Sequence, residues 1–212
     1  MQRRKVSWML LPVVMLLYGC ATAMLPQGPD IYSFSVRPNA PSIVVARAVD
    51  ERTNKQRLGS IGATQFSMKV DPVELVGKEA VGALYEQGFN GTLGHVSSDQ
   101  PGTFAEEAQR LGAQGVLALS IKSISIESFD ILMDPPTVKA TLQATLYDRQ
   151  GNVLETSEVT GLTQRRISAF ALEKASGQLV GEAIHDAAQR LANRGALGTA
   201  LTKLANNKME EL

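Results

Sequence analysis

Thr137-Val138-Lys139-Ala140-Thr141-Leu142-Gln143-Ala144-Thr145-Leu146-Tyr147 alternates without a fault. A pleated strand therefore carries Val138, Ala140, Leu142, Ala144 and Leu146 on one face and the polar residues on the other. One face belongs to a core and the other to polar surroundings, as in an antiparallel sheet. Asp148-Arg149-Gln150-Gly151-Asn152 then reads as a hairpin turn, with Gly151 free to take positive φ. Val153 to Thr163 returns as a more polar strand. On the upstream side, Val116 to Ile126 is apolar first at Leu117, Leu119 and Ile121, then at Ile124 and Ile126. A period of two cannot hold odd and even positions on one face, so a bulge is expected near Lys122–Ser123.

The elements around this meander follow from shorter signals. Ser42-Ile43-Val44-Val45-Ala46-Arg47-Ala48-Val49 is apolar on both faces and predicts a central strand; Leu58 to Gly62 suggests a second, shorter one. Asp71-Pro72-Val73-Glu74 opens a helix, with Asp71 as cap and Pro72 in the first turn. Val73, Val76, Ala80, Val81 and Leu84 form its stripe, and Gly88 stops it. Phe89 to Leu93 predicts a strand. Thr103-Phe104-Ala105-Glu106 reads as a capping box for a short helix ending near Gly112. A long helix is expected over Ala169–Asn193, with Leu172, Ala175, Leu179, Ala183, Ala187 and Leu191 inward, and with Gly177 and Gly181 letting it approach the sheet. Leu197, Leu201 and Leu204 mark a terminal helix. The sum is an α+β chain: a mixed, mostly antiparallel sheet of about five strands, with a long C-terminal helix and shorter helices packed on it.

The first twenty residues have a different character. Arg3, Arg4 and Lys5 precede an apolar run from Val6 to Tyr18, and Leu17-Tyr18-Gly19-Cys20 holds the single cysteine of the chain. A charged start, a short apolar stretch and a small residue before the cut describe a secretory signal; the run is too short to span a bilayer convincingly. Leu17, Gly19 and Cys20 resemble the lipobox of bacterial lipoproteins. That resemblance implies cleavage between Gly19 and Cys20, and covalent diacylglycerol and N-acyl lipid on Cys20. The organisation expected is a signal peptide over 1–19, a lipidated cysteine, tether and edge strand over 20–41, and one globular periplasm-facing domain over 42–212. Within 20–41 the prolines Pro26 and Pro29 keep 21–30 extended as tether, and Tyr32, Phe34 and Val36 alternate as the short edge strand. Ala21 after the cysteine points to the outer membrane, because lipoproteins held at the inner membrane commonly carry Asp there.

Loss of the signal removes three of the 21 basic residues and leaves 18 against 21 acidic ones, a net −3. That is no footprint for nucleic acid. With Cys20 carrying lipid, no thiol remains. His95, read in a loop, and His185, read on the polar face of the last helix, stand apart, and no metal-ligand spacing exists. No GxSxG elbow, phosphate loop or dinucleotide fingerprint is present. Asp50-Glu51-Arg52 admits two readings, an acid pair with an activating arginine or a polar turn whose groups satisfy one another. Phe129-Asp130-Ile131-Leu132-Met133-Asp134-Pro135-Pro136 is apolar for a connection; Phe129, Ile131, Leu132 and Met133 either touch a partner or continue the strand.

From the lipobox through the strand Ile43–Val49, the segment Asp50-Glu51-Arg52-Thr53, the helix ending Tyr85-Glu86-Gln87-Gly88-Phe89, the meander and the long last helix, the order of parts resembles the YajG-like family of outer-membrane lipoproteins. Asp50, Arg52 and Thr53 are the signature residues of that resemblance. The segment Thr103–Ala113 is similar instead to the helix–strand unit of periplasmic lipoproteins with a curli-secretion-protein-like α/β domain. The resemblance implies no catalytic chemistry and no cofactor beyond the lipid. The function expected is an outer-membrane lipoprotein without catalysis, an envelope adaptor or assembly accessory with an envelope protein partner or a second copy of itself. A carrier of an apolar ligand and, further off, an envelope hydrolase are the alternatives. Cys20→Ser is expected to abolish incorporation of radiolabelled fatty acid into the protein; label retained on the variant would refute the lipobox reading.

Overall fold

The chain folds in the order β1 (Thr22–Ala23), β2 (Ser42–Arg47), β3 (Val49–Asp50), β4 (Arg57–Ile61), β5 (Thr64–Met68), α1 (Pro72–Glu86), β6 (Asn90–Ser97), α2 (Phe104–Arg110), β7 (Gly115–Ser128), β8 (Thr137–Asp148), β9 (Val153–Gln164), α3 (Leu172–Asn193) and α4 (Gly195–Glu210). This computed structural model describes residues 22–23, 35–55, 57–61, 64–68, 71–128, 135–166, 172–193 and 195–210.

All nine strand segments join one mixed sheet. The α+β class and the long C-terminal helix are as the sequence predicts, while the strand count is larger than the expected five. The reason lies in β7, which at 14 residues is longer than any one neighbour on its parallel side. β2 pairs with Gly115–Leu117, β3 with Ser120–Ile121 and β4 with Ile126–Ser128, so three segments lie end to end along one edge of β7. β6 flanks β2 in parallel, and β5 flanks β4 antiparallel. On the other edge β7, β8 and β9 form the antiparallel meander, which holds most of the ladder.

The bulge falls where the phase change places it. Register against β8 shifts between Ile121, opposite Leu142, and Ser123, opposite Thr141. The extra residue, Lys122, returns Ile124 and Ile126 to the face of Leu117, Leu119 and Ile121, and all five are buried. The β8–β9 turn is tied by Asp148, whose carboxylate accepts from the backbone N–H groups of Gln150 and Asn152 at 2.9 and 2.8 Å. Gly151 sits there at φ +86°.

Two layers of helix cover the sheet unequally. α1, α3 and α4 share the main core with the inward residues of β7 and β8, through Val76, Leu84, Leu179, Ile184, Leu197 and Leu201 among others. α2 covers part of the opposite face, where Phe104 and Ala108 meet Val44, Ala46, Val116 and Ala118. This explains why β2 is apolar on both faces: Ile43 and Val45 enter one core, Val44 and Ala46 the other. Among the described residues, the close approach of α3 to the sheet is made from the strand side, at Gly161 of β9. A Cβ at that position would stand 2.1 Å from the Ala183 carbonyl oxygen and 2.4 Å from the Ala187 nitrogen. On α3 itself Gly177 is buried and Gly181 half-buried.

Other expectations need correction. Asp71 caps α1 through Val73 N–H at 3.0 Å as expected, but Thr103 caps nothing. A single 3-10 turn over Pro101–Thr103 runs straight into α2, Thr103 is already helical, and its hydroxyl donates to the Gln100 carbonyl. Ser35–Arg37 is not strand, and Val36 is exposed, so the part of the edge strand at Tyr32–Val36 that is described is irregular; Tyr32–Phe34 lie outside the described residues. Thr22 and Ala23 are not tether, since they pair in parallel with Ser67 and Met68. β6 runs four residues past Leu93, so His95 lies in a strand rather than a loop.

Leu142 is 1% exposed against the helices, and Gln143 points to the other face. Leu142→Ala is expected to cost about 2–5 kcal/mol, and Gln143→Ala about 0.5 kcal/mol or less. Urea unfolding of the domain lacking the signal checks this, and equal losses would refute the register.

Candidate functional site

The signature segment folds onto itself. Arg52 donates from Nε and Nη2 to the two Asp50 oxygens at 2.9 and 2.8 Å, and its backbone N–H adds a third bond at 3.1 Å. Both side chains are buried. Burial works to raise the Asp50 carboxyl, but the hydrogen bonds and charge of Arg52 outweigh it and hold the group below its ordinary value. Glu51 N–H donates to the Ile121 carbonyl, and its carboxylate takes the Lys122 ammonium. The Lys122 hydrogen bond is the main reason that Glu51 also stays below its ordinary value. A bulge residue thus aims its side chain at the acidic segment. Thr53 is exposed beside this cluster. Both carboxylates are held ionised and matched with cations, which is the self-satisfied turn rather than an acid poised to give up a proton.

Two further side-chain pairs hold elements together. Glu107 of α2, almost buried, accepts from Arg110 at 2.7 and 2.8 Å and from His95 N–H at 3.0 Å, clamping α2 to β6. Arg110, then the His95 N–H, pull its carboxyl down to about 2. His185, expected to be solvated on the polar face of α3, has its Nδ1 2.8 Å from Oε2 of the buried Glu79 on α1. The pairs differ in how they could have been found. Glu107–Arg110 is a helical i,i+3 pair visible in the sequence, whereas Glu79 and His185 are joined only by the packing of α1 on α3.

Gly19, Cys20, Phe129, Ile131, Leu132 and Met133 lie outside the described residues. Among the described residues, no three His, Cys, Asp or Glu side chains converge as metal ligands, and no helix is long and apolar enough to cross a membrane. Between α1, α3, α4 and the sheet, bounded by Leu84, Leu119, Leu142 and Leu201, the free volume is about 10 Å3. That is the space of one water, so this part of the core has no room for the apolar ligand of the carrier alternative. The large opening is elsewhere. A groove of about 930 Å3 runs between the β8–β9 turn and α4, bordered by Gln114, Arg149, Leu154, Glu155, Thr199 and Lys203. Its wall mixes both charges with apolar surface. Gln114 Oε1 is buried and has no hydrogen-bond partner among the described residues.

No family model matches the chain, and no curated protein does. The chain is similar to solved bacterial proteins. Protein XCC0632 from Xanthomonas campestris, of family DUF330, is 11% identical over 90% of this chain and 95% of that one, with a TM-score of 0.50. The lipoprotein GNA1162 from Neisseria meningitidis is 15% identical over 80% and 99%, with a TM-score of 0.39. PelC from Paraburkholderia phytofirmans, a dodecamer, is 13% identical over 73% and 91%, with a TM-score of 0.43. Several of the solved chains carry the name of lipoprotein. At 11% identity the likeness to XCC0632 is one of fold.

The Glu107 clamp gives a pH signature. Its folded value of about 2 lies below the ordinary 4.5. The stability it contributes is therefore complete above pH 4.5 and is lost as the pH falls through 4.5 toward 2. Glu107→Gln is expected to be less stable at pH 7 and to lose less on acidification than the parent chain. Urea unfolding at a series of pH values tests this; parallel acid limbs would refute it.

Proposed function

We propose that this chain is a lipid-anchored envelope protein that holds a partner and has no catalytic site of its own. The observation that carries the reading is the groove beside α4. A buried acceptor left unpaired costs about 1–3 kcal/mol, and a partner that donates one N–H to Gln114 Oε1 removes that cost. The mixed wall, with Leu154 among Arg149, Glu155 and Lys203, combines the apolar and charged groups that protein contacts use. The carboxylates of the Asp50, Glu79 and Glu107 clusters, by contrast, are matched within the fold and hold elements together.

The anchor rests on Leu17-Tyr18-Gly19-Cys20, and the outer membrane on Ala21. The YajG-like resemblance belongs to the same reading. The partner is an envelope protein or a second copy of this chain. A photoreactive side chain placed at Lys203 in the lipidated protein, activated in intact envelopes, distinguishes them. The expected result is a discrete adduct, weakened by Gln114→Leu, whose mass identifies a copy or a different protein. Absence of any adduct from both Lys203 and Leu154 would overturn the adaptor reading.

A further inference from the structure

The geometry points to a fixed orientation on the membrane: the end of the sheet where β7 finishes rests on the bilayer surface, and the groove faces away from it. This rests on the lipidation of Cys20 proposed above. Thr22 and Ala23 run parallel to Ser67 and Met68, so Thr22 stands three residues from the start of β5. That start, Thr64, lies opposite Ile61, and Ile61 lies opposite Ser128, the last residue of β7. Thr137 at the beginning of β8 and Gln164 at the end of β9 are paired at the same end. Cys20 precedes Thr22 by two residues and is covalently bound to lie within about 7 Å of it. A cysteine carrying diacylglycerol sits at headgroup level, because the acyl chains begin at its own sulfur substituent. The lipid therefore lies closer to this end of the sheet than to the Gly115 end.

The charges agree with a lipid surface as the occupant. Arg165 and Arg166 follow Gln164 directly, and both are exposed. Arg165 holds Glu182 at 3.2 Å, on the same helix that covers the sheet. With Arg165 matched to Glu182, Arg166 leaves a net positive charge at headgroup height, which complements anionic phospholipid. At the other end of β7 stand Gly115, the β8–β9 turn and the groove with Gln114 and Lys203. Fourteen strand residues at about 3.3 Å each separate the two ends by about 45 Å. A partner entering the groove therefore arrives from the aqueous side, clear of the lipid.

The test uses the full lipidated protein in vesicles of phosphatidylethanolamine and phosphatidylglycerol that contain headgroup-nitroxide lipid. With Cys20 acylated, Gln164→Cys and Gln150→Cys each supply a single free thiol for a fluorescent label. The label at 164 is expected to lose most of its emission to the nitroxide, and the label at 150 to keep nearly all of it. Mass spectrometry of the N-terminal peptide is done first. An unacylated Cys20 refutes the anchor and this orientation with it. An acylated protein quenched equally at both positions, or more strongly at 150, overturns the orientation alone and leaves the anchor standing.

Discussion

The structure hangs on the pairing of β7 with β8, and on the single extra residue that β7 carries within the paired stretch. β8 keeps strict alternation from Thr137 to Leu146, so it acts as a ruler. β7 carries two apolar sets of opposite phase. Without an extra residue, either the Leu117 set or the Ile124 set would face polar surroundings, since a one-residue slip sends every side chain to the other face. Spending Lys122 on the bulge keeps both sets under α1, α3 and α4. The same displacement frees the Lys122 ammonium to hold Glu51. Core register and the anchoring of the acidic segment are thus one event. The other edge of β7 depends on it too, because β3 meets Ser120 and Ile121 just before the bulge and β4 meets Ile126 just after it.

Signals within a few residues of one another were legible in the sequence. The Asp71 cap, the Asp148–Gly151 turn, the inward stripe of β8 and the phase fault of β7 all stand where the pattern puts them. Thr103 shows how a local signal fails. Its hydroxyl was drawn to Gln100 because Pro101 favours a turn that brings Thr103 into the helix a residue early. The parallel side of the sheet was hidden for another reason. Two or three residues suffice for β3 to join β7, and no periodicity can be read from so few. Gly161 sat in a strand that looked merely weak and polar; its smallness matters only once α3 lies across it.

The candidate sites divide in the same way. Asp50 and Arg52, two residues apart, were readable as a self-satisfying turn, and the structure closes it on three hydrogen bonds. Glu79 and His185 come from helices far apart in the chain, so a histidine that looked solvated turns out to hold a buried carboxylate. The groove is assembled from the Gly112–Gln114 corner, the β8–β9 turn and α4. None of the three is unusual alone, and concavity has no sequence signature.

The end-to-end row of β2, β3 and β4 has a consequence for the order in which the chain can become ordered. Their shared partner is synthesised last among them: Val44 waits for Val116, and Gly59 for Ile126. Until then the three segments have no common edge to line up on, and β7 in turn is closed only by β8. Such non-local pairing folds slowly, because loop-closure entropy is spent before the contacts repay it. A chain emerging from its amino end therefore passes through a long interval in which the apolar residues Ile43–Ala46 lack their neighbour. Through that interval β2 is an uncovered apolar strand, a template on which another chain can pair.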